Sequence, residues 1–175
     1  MKIMRAVSLF CVVCLTGGVL AGSDARADDC AVIPGAAIAQ AKLPHAVTHV
    51  TTLPGKPPIR VEMIFVNDKA YTQLDGTWHS MAYSAQEQVD TITAANKRMD
   101  QTPHTCQKLA SPPINGEAVS LFVVHSDVSG NASEARFWIS DKTGLPMKSE
   151  IHLKSGSVVT DDFHYGYIKP PPGVN

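Results

Sequence analysis

The sequence predicts an α+β domain in which helices pack on one face of an antiparallel sheet. Several short segments alternate apolar and polar residues with the period of a β-strand, whereas one long segment has the apolar spacing of an amphipathic helix. In residues 148–154, charged and imidazole side chains alternate with Ser, Ile and Leu, so one face of this strand is wet. A sheet with one wet face needs helices on the other, which is an α+β arrangement.

In the N-terminal part of this domain, the sequence predicts a short helix followed by extended strands. Residues 31–43 are rich in alanine, and Pro44 stops a helix there. Residues 47–52 are β-prone. Residues 59–66 form the first clear strand, because their odd positions are all apolar and make one continuous face.

A hairpin and the long helix come next. Two β-prone runs, 69–74 and 77–81, flank Asp75-Gly76, a pair that readily adopts the positive φ values of a tight two-residue turn. Ser84 and Glu87 form a capping box that opens a helix. We expect this helix to continue to about Gln101, since Pro103 follows.

The last 60 residues predict a strand meander. Strands are expected at 118–126, 134–140, 148–154 and 158–169, separated by turn residues that include Asp141–Gly144 and Ser155-Gly156. Three consecutive prolines from Pro170 cannot continue a hydrogen-bonded ladder, so the fold ends there.

The first 27 residues have the order of a secretory signal peptide. Lys2 and Arg5 precede an apolar run from Ala6 to Ala21, and Ala25-Arg26-Ala27 places small residues where a signal peptidase reads. A membrane anchor is the alternative, but the run is shorter than the ~20 residues a spanning helix needs. We predict that residues 1–27 are removed and that residues 28–175 form one domain exported to the periplasm.

Two cysteines inside the predicted signal do not make a lipid anchor. Cys11 follows Phe10 and Cys14 follows Val13, whereas a lipoprotein signal needs a small residue before the modified cysteine. The predicted mature chain keeps 12 basic and 15 acidic residues, a formal charge of −3. This composition lacks the basic stripe of a nucleic-acid binder and the polybasic patch of a membrane-surface protein. We therefore expect no nucleic-acid partner and no stable membrane anchor.

Cys30 and Cys106 remain after the predicted cleavage. In an oxidising compartment an even count favours a disulfide, and two cysteines allow one intramolecular pairing. A reactive thiol pair is the alternative, but the close Cys-x-x-Cys spacing that tunes redox sites is absent. We predict a structural bridge that adds about 2–4 kcal/mol of stability.

Seven histidines raise the hypothesis of a metal site. His45 and His49 have the spacing of two ligands on a helix, but Pro44 and the β-prone residues after it favour a strand. On a strand the two lie ~13 Å apart, too far to share one ion. No carboxylate or cysteine accompanies the other histidines at ligand spacing. We predict solvent-facing histidines, no metal site and no cofactor.

Catalytic motifs are absent from the sequence. It contains no Gly-x-Ser-x-Gly, no Ser-x-x-Lys and no His-Glu-x-x-His. Asp161 and Asp162 are adjacent, and neighbours on a strand point to opposite faces, so these carboxylates cannot share a proton. The sequence therefore predicts a protein that is not an enzyme.

Large apolar residues recur on the predicted strands and could line a ligand pocket. These candidate pocket residues are Met63, Phe65, Trp78, Phe122, Trp138 and Phe163. The same residues could instead fill the space beneath the central helix, since a core and a ligand cavity have the same composition. Both interpretations stay open from sequence alone.

Two segments resemble the lipoprotein-carrier superfamily of LolA-like and LppX-like periplasmic proteins. The run from Arg136 to Glu150 contains a strand, Trp-x-x-Asp, Thr-Gly-Leu-Pro and the next strand. Asn67 to Tyr71 and Asp75 to Trp78 resemble the hairpin of that group, with a Tyr followed by a Gly-x-Trp. The resemblance implies a curved, unclosed sheet, a half-barrel, whose concave face is covered by helices and can hold acyl chains.

Three functional hypotheses follow. The first is a periplasmic, non-enzymatic binding protein that holds a lipid, a lipoprotein acyl chain or another apolar ligand in the half-barrel. The second is an envelope interaction or sensor module with the same fold, a filled core and a protein partner. The third is a histidine-based metal binder, in which three or more histidines converge on one point.

Overall fold

The computed structural model describes residues 30–128 and 131–174. The described chain forms α1 (Val32–Ala41), β1 (His45–Thr52), β2 (Ile59–Val66), β3 (Lys69–Leu74), β4 (Thr77–Ala82), α2 (Ala85–Asp100), β5 (His104–Ala110), β6 (Val119–Val128), β7 (Asn131–Ser140), β8 (Pro146–Leu153) and β9 (Val158–His164). The predicted signal peptide, residues 1–27, lies outside the described residues. Neither α1 nor α2 has the length and apolar character of a membrane-spanning segment.

All nine described strands belong to one antiparallel sheet that is not closed into a barrel. Their order is β4-β3-β2-β1-β9-β8-β7-β6-β5, so β4 and β5 are the edge strands. Strand β9 returns from the C-terminal meander to pair with β1, from His164 opposite Ala46 to Val158 opposite Thr52. Together with the two helices, this open curved sheet confirms the predicted α+β class.

Both helices lie on the same face of the sheet. Ala36 of α1 packs in one cluster with Phe122, Val124 and Ile139 of β6 and β7, and Met99 of α2 packs against that cluster. We call this side the helix face and the opposite side the outer face. Because side chains alternate along a strand, the register assigns every other strand residue to one of these faces.

The β2–β4 region follows the sequence prediction closely. Strand β2 has the predicted bounds, and the hairpin turns at Asp75 and Gly76 with φ values of 49° and 79°. Two consecutive positive φ values are the mark of a turn whose twist matches the flanking strands. The predicted hairpin is therefore confirmed.

Helix α2 begins where the capping box places it. Ser84 is the N-cap, and its Oγ accepts a hydrogen bond from the Glu87 backbone N–H at 3.2 Å. No residue of α2 is fully buried, and its apolar positions, among them Ile92 and Met99, are only partly covered. The helix thus lies over α1 and the sheet as a partly exposed cover.

Two segments differ from the sequence expectation. Strand β5 was not predicted. Its residues from Gln107 to Ala110 are all exposed, so this part of the strand has no buried face to give the sequence an alternating apolar pattern. Strand β9 was expected to reach Lys169 but ends at His164, because the chain bends at Gly166, whose φ is 113°.

Candidate functional site

A cavity of about 400 Å³ lies between the helices and the helix face of β5–β7. We call it the helix–sheet cavity. Its lining is mainly apolar and comes from the start of α1, the end of α2 and three adjacent strands. The lining residues are Cys30, Ala31, Ile33, Pro34, Asn96, Met99, Asp100, His104, Val124, Ala135 and Phe137.

Strand register brings the floor of the cavity together. Val124 pairs with Ala135 across β6 and β7, and Phe137 follows Ala135 by two residues on the same face. Ile33 and Met99 pack against this floor from the two helices. Beneath it, Phe122 and Ile139 are 4% and 3% exposed, so the cavity lies beside a packed core rather than replacing it.

A disulfide closes one wall of the cavity. Cys30 is bonded to Cys106 of β5, with 5.8 Å between their Cα atoms and a sequence separation of 76. Cys106 is buried in the core cluster and pairs in register with Val124. The predicted bridge is confirmed, and it fastens the start of α1 to the sheet edge.

Three polar side chains lie at the cavity wall, and most of their nitrogen and oxygen atoms that could bond to a ligand are hydrogen-bond acceptors. His104 Nδ1 is 2.8 Å from the carbonyl oxygen of Thr102. A carbonyl can only accept, so Nδ1 carries the proton and Nε2 of the neutral ring is an acceptor. Asp100 adds a carboxylate, and Asn96 adds an amide that can both donate and accept.

The six candidate pocket residues are not brought into one cavity. Phe122 lies in the core next to the helix–sheet cavity. Phe65 lines a separate cavity of about 130 Å³ and stacks on His45, with ring centroids 4.5 Å apart. Phe163 lines a cleft of about 280 Å³ together with Met147 and Tyr165.

The other three candidates lie away from these cavities. Met63 is partly buried on the helix face, opposite Val47 of β1. Trp78 and Trp138 lie on the outer face, since their strand positions are offset by one from those of the apolar floor. Trp138 donates from Nε1 to Ser111 Oγ at 3.1 Å, and Lys148 Nζ is 5.1 Å from its ring centroid.

Sequence reasoning did not select Ile33, Met99 or Phe137 as lining residues. Met99 did belong to the apolar stripe of the predicted helix, and Phe137 to the apolar face of a predicted strand. The predicted disulfide was the usable signal, because it brings the residues after Cys30 beside the strand that holds Cys106.

A polar cluster occupies the centre of the helix face. Asp161 Oδ1 is 2.7 Å from His49 Nδ1, and Asp161 Oδ2 accepts from Ser149 Oγ at 3.0 Å. His49 Nε2 is 3.0 Å from Thr51 Oγ1. The serine donates to the carboxylate and not to the imidazole, so the cluster lacks the nucleophile–base contact of acyl transfer.

The outer face carries a ladder of ion pairs. Arg136 lies 2.6 Å from Glu134 and 3.7 Å from Glu150, which also pairs with Lys148 and His152. Burial acts to raise the pKa of Glu150, but the hydrogen bond from His152 and the charge of Lys148 outweigh it, so this pKa lies below its usual value. These mutually paired charges form the wet face that the sequence predicted.

A wider cleft of about 690 Å³ adjoins the cavity and shares His104 with it. It is lined by the ends of β6 and β8 and the starts of β5 and β7, including Ser126, Ser133 and Glu134. This cleft is open to solvent, whereas the helix–sheet cavity is more enclosed. Both have mainly apolar walls, so enclosure is what distinguishes the helix–sheet cavity as the candidate ligand site. Within residues 30–128 and 131–174, no three His, Cys, Asp or Glu side chains are grouped to hold a metal ion.

No family model matches the sequence. No curated protein matches it either. Solved structures do share the fold. The chain superposes on the Mycobacterium tuberculosis lipoprotein LppX with a TM-score of 0.50 and 12% identity, covering 83% of this chain and 97% of LppX.

The same architecture occurs in structures of MucB. In the Pseudomonas aeruginosa MucA/MucB complex, the match has a TM-score of 0.52 and 16% identity, covering 78% of this chain and 56% of the other. In MucB bound to MucA(peri), the TM-score is 0.51 at 16% identity, covering 79% and 54%. The LppX-like fold implied by the sequence resemblance is therefore confirmed, as a fold.

Proposed function

We propose that this chain is an exported, non-enzymatic periplasmic binding protein that holds an apolar ligand in the helix–sheet cavity. The ligand class is a lipid, or the acyl chain of a lipid or lipoprotein. One observation carries the proposal: a cavity of about 400 Å³ with walls of Ile33, Met99, Val124, Ala135 and Phe137 lies between a helical cover and the sheet. This volume falls within the ~300–1,000 Å³ of typical ligand sites.

The physical driving force is the removal of apolar surface from water. Each methylene group that enters such a site contributes about 0.8 kcal/mol, before the cost of ordering the chain and the cover. The partly exposed α2 supports this use, because a cover that is not locked into the core can move aside for a ligand. A filled core, as the interaction-module hypothesis requires, would leave no such space.

Export is supported by the disulfide and the N-terminal pattern. A bridge such as Cys30–Cys106 forms and persists in oxidising compartments. The signal-like order of residues 1–27 agrees with that compartment. In the periplasm, an apolar ligand must cross water between membranes, which is the task that a soluble carrier performs.

The test is to fill the cavity and measure binding of a neutral apolar dye, Nile red. Ala135→Phe places a ring on the cavity floor, whereas Ala82→Phe adds the same ring at an exposed position of β4. We expect saturable binding to the wild-type protein, a loss of at least about tenfold in affinity for Ala135→Phe, and no change for Ala82→Phe. Equal binding by a folded Ala135→Phe protein would overturn the proposal.

An envelope protein partner is a second candidate function, and one surface favours it. Ile59, Leu74 and Met81 on the helix face of β2–β4 are 55%, 50% and 61% exposed. We call these three residues the apolar edge surface. Exposed apolar side chains are common at interaction surfaces, and MucB, which shares the fold, has been solved in complex with MucA(peri).

The two candidates separate in one experiment. The double variant Leu74→Lys with Met81→Lys is expected to remove any crosslinked partner in the intact envelope while leaving Nile red affinity unchanged. A crosslinking pattern identical to that of the wild type would count against this surface.

A further inference from the structure

We infer that the helix–sheet cavity takes a single-chain amphiphile whose headgroup is uncharged or cationic, and that it disfavours anionic headgroups. This inference rests on the proposed function and specifies the ligand class of the same site. It follows from the volume of the cavity, from the charges around it and from the hydrogen-bonding groups at its wall.

The volume limits the number of acyl chains. A methylene group occupies about the space of a water molecule, roughly 30 Å³. A cavity of about 400 Å³ therefore holds on the order of a dozen methylene groups. That is one chain of moderate length, and a second chain of a diacyl lipid would remain in water.

The charge at the cavity is negative. Asp100 is the charged side chain among the lining residues, and no Lys or Arg lines the cavity. Lys97 and Arg98, on the same turn of α2, are exposed and lie outside the lining. Asp100 makes no ion pair within residues 30–128 and 131–174. Its charge is therefore available to a ligand.

The helix ends do not reverse this sign. Helix α1 begins at the cavity and presents the positive end of its dipole, while α2 ends there at Asp100 and presents the negative end of its own. Each end is equivalent to roughly half an elementary charge, so the two largely offset. The carboxylate of Asp100 remains as the net charge among the lining residues.

The hydrogen-bonding groups at the wall agree with the charge. In the neutral His104 ring Nε2 is an acceptor, because Nδ1 carries the proton that is donated to the Thr102 carbonyl oxygen. The Asp100 carboxylate also only accepts. A headgroup that donates, such as a hydroxyl or an ammonium, can pair with these atoms, whereas a carboxylate or phosphate has no proton to donate to them and is repelled by the Asp100 charge.

The experiment uses three probes that share a 12-carbon chain. Dodecylamine is cationic, monolaurin is neutral with two hydroxyl donors, and laurate is anionic. Each probe displaces Nile red from the purified protein below its micelle concentration at neutral pH. We expect dodecylamine and monolaurin to bind about two- to fivefold more tightly than laurate, a size set by the strength of exposed charge pairs.

Two variants assign the effect to Asp100. Asp100→Asn is expected to tighten laurate binding and weaken dodecylamine binding, with monolaurin nearly unchanged. Asp90→Asn is the matched control on α2, because Asp90 is exposed, accepts from Gln86 and does not line the cavity. It is expected to reproduce the wild-type order of affinities.

The outcomes separate the inference from the proposed function. If laurate binds as tightly as dodecylamine, the headgroup inference is overturned and the proposed function stands. If dipalmitoylglycerol displaces Nile red as well as monolaurin does, the single-chain inference is overturned. If Nile red and all three probes fail to bind, both the inference and the proposed function are overturned.

Discussion

The two halves of one sheet are used differently. Under the helices, Phe122, Val124 and Ile139 on β6 and β7 are 4%, 6% and 3% exposed. At the other end of the same face, Ile59, Leu74 and Met81 on β2–β4 are at least half exposed. All six are apolar residues on one face of one continuous sheet, so residue type alone does not decide which become core.

The size of the helices accounts for the difference. A helix of 10 residues and one of 16 are about 15 and 24 Å long. Nine strands at a spacing of about 4.8 Å span about 38 Å. Two helices of this size cannot cover the whole face. The disulfide fastens the start of α1 to β5. The two helices also reach Phe65 of β2, but Ile59, Leu74 and Met81 lie beyond their cover.

We expect the largest loss of stability from a substitution in the half of the sheet that the helices cover. Phe122→Ala removes a buried ring from the core and should lower the free energy of unfolding by about 3–5 kcal/mol. Leu74→Ala truncates an exposed residue of the other half and should cost less than about 0.5 kcal/mol. Urea unfolding measures both values, and similar losses would show that the halves are equally packed.

Reduction of the disulfide should cause the second largest loss in the free energy of unfolding. Opening the Cys30–Cys106 bridge should lower the free energy of unfolding by about 2–4 kcal/mol, because it frees a long loop and the start of α1. Urea unfolding with and without reductant measures this loss. The Cys30→Ser variant is the control, since reductant should not change its stability further. Unchanged stability of the reduced wild-type protein would contradict the structural role.

The pH dependence of stability tests the packing of His45, which lies on β1 between the two halves of the sheet. His45 is buried against Phe65, and burial lowers its pKa, with the hydrogen bond to the Leu43 carbonyl acting in the opposite sense. The unfolded chain therefore binds a proton more readily than the folded protein. The contribution of His45 to the free energy of unfolding is complete above the usual histidine pKa of about 6.5, and it is lost as the pH falls toward the lower pKa of the folded protein.

The His45→Gln variant should remove this component and flatten the fall in unfolding free energy between pH 7 and 5. Denaturant titrations at several pH values measure the slope. His79→Gln is the matched control, because His79 is an exposed histidine of β4. A slope for His45→Gln equal to that of the wild type would exclude His45 as its source.

The smallest effect is expected at the apolar edge surface. Met81→Ser should change the free energy of unfolding by less than about 0.5 kcal/mol, since the side chain is 61% exposed. Thermal melting of the variant beside the wild type measures the difference. A loss above about 1 kcal/mol would show that Met81 is packed in solution, and the contrast between the halves would then disappear.

Much of the fold could be predicted because local signals agreed with it. The alternation of residues 59–66, the Asp75-Gly76 turn and the Ser84 cap each depend on nearest neighbours in the chain, and each was confirmed. Bounds of the later strands shifted by a few residues, as in β7, which was predicted from 134 and begins at Asn131.

The candidate site was harder to predict because it depends on contacts distant in sequence. Trp78 and Trp138 are large and lie on true strands, but the register places them on the outer face. Ile33 and Phe137 are brought together only when α1 packs on β7. The position of the cavity therefore follows from where the helices end and where the disulfide holds the start of α1. The alternation of apolar and polar residues predicts strands but contains no information on where the helices pack.

The edge strands have a consequence for the behaviour of concentrated samples. Strand β4, from Thr77 to Ala82, has no charged residue and no proline, and it pairs only with β3 among the described strands. The other edge, β5, carries Lys108 and is anchored by the disulfide. Free backbone donors and acceptors on an uncharged edge are a template for strands from other molecules. Aggregation in storage or refolding is therefore expected to begin at β4, and a lysine at Ser80 should raise the soluble limit.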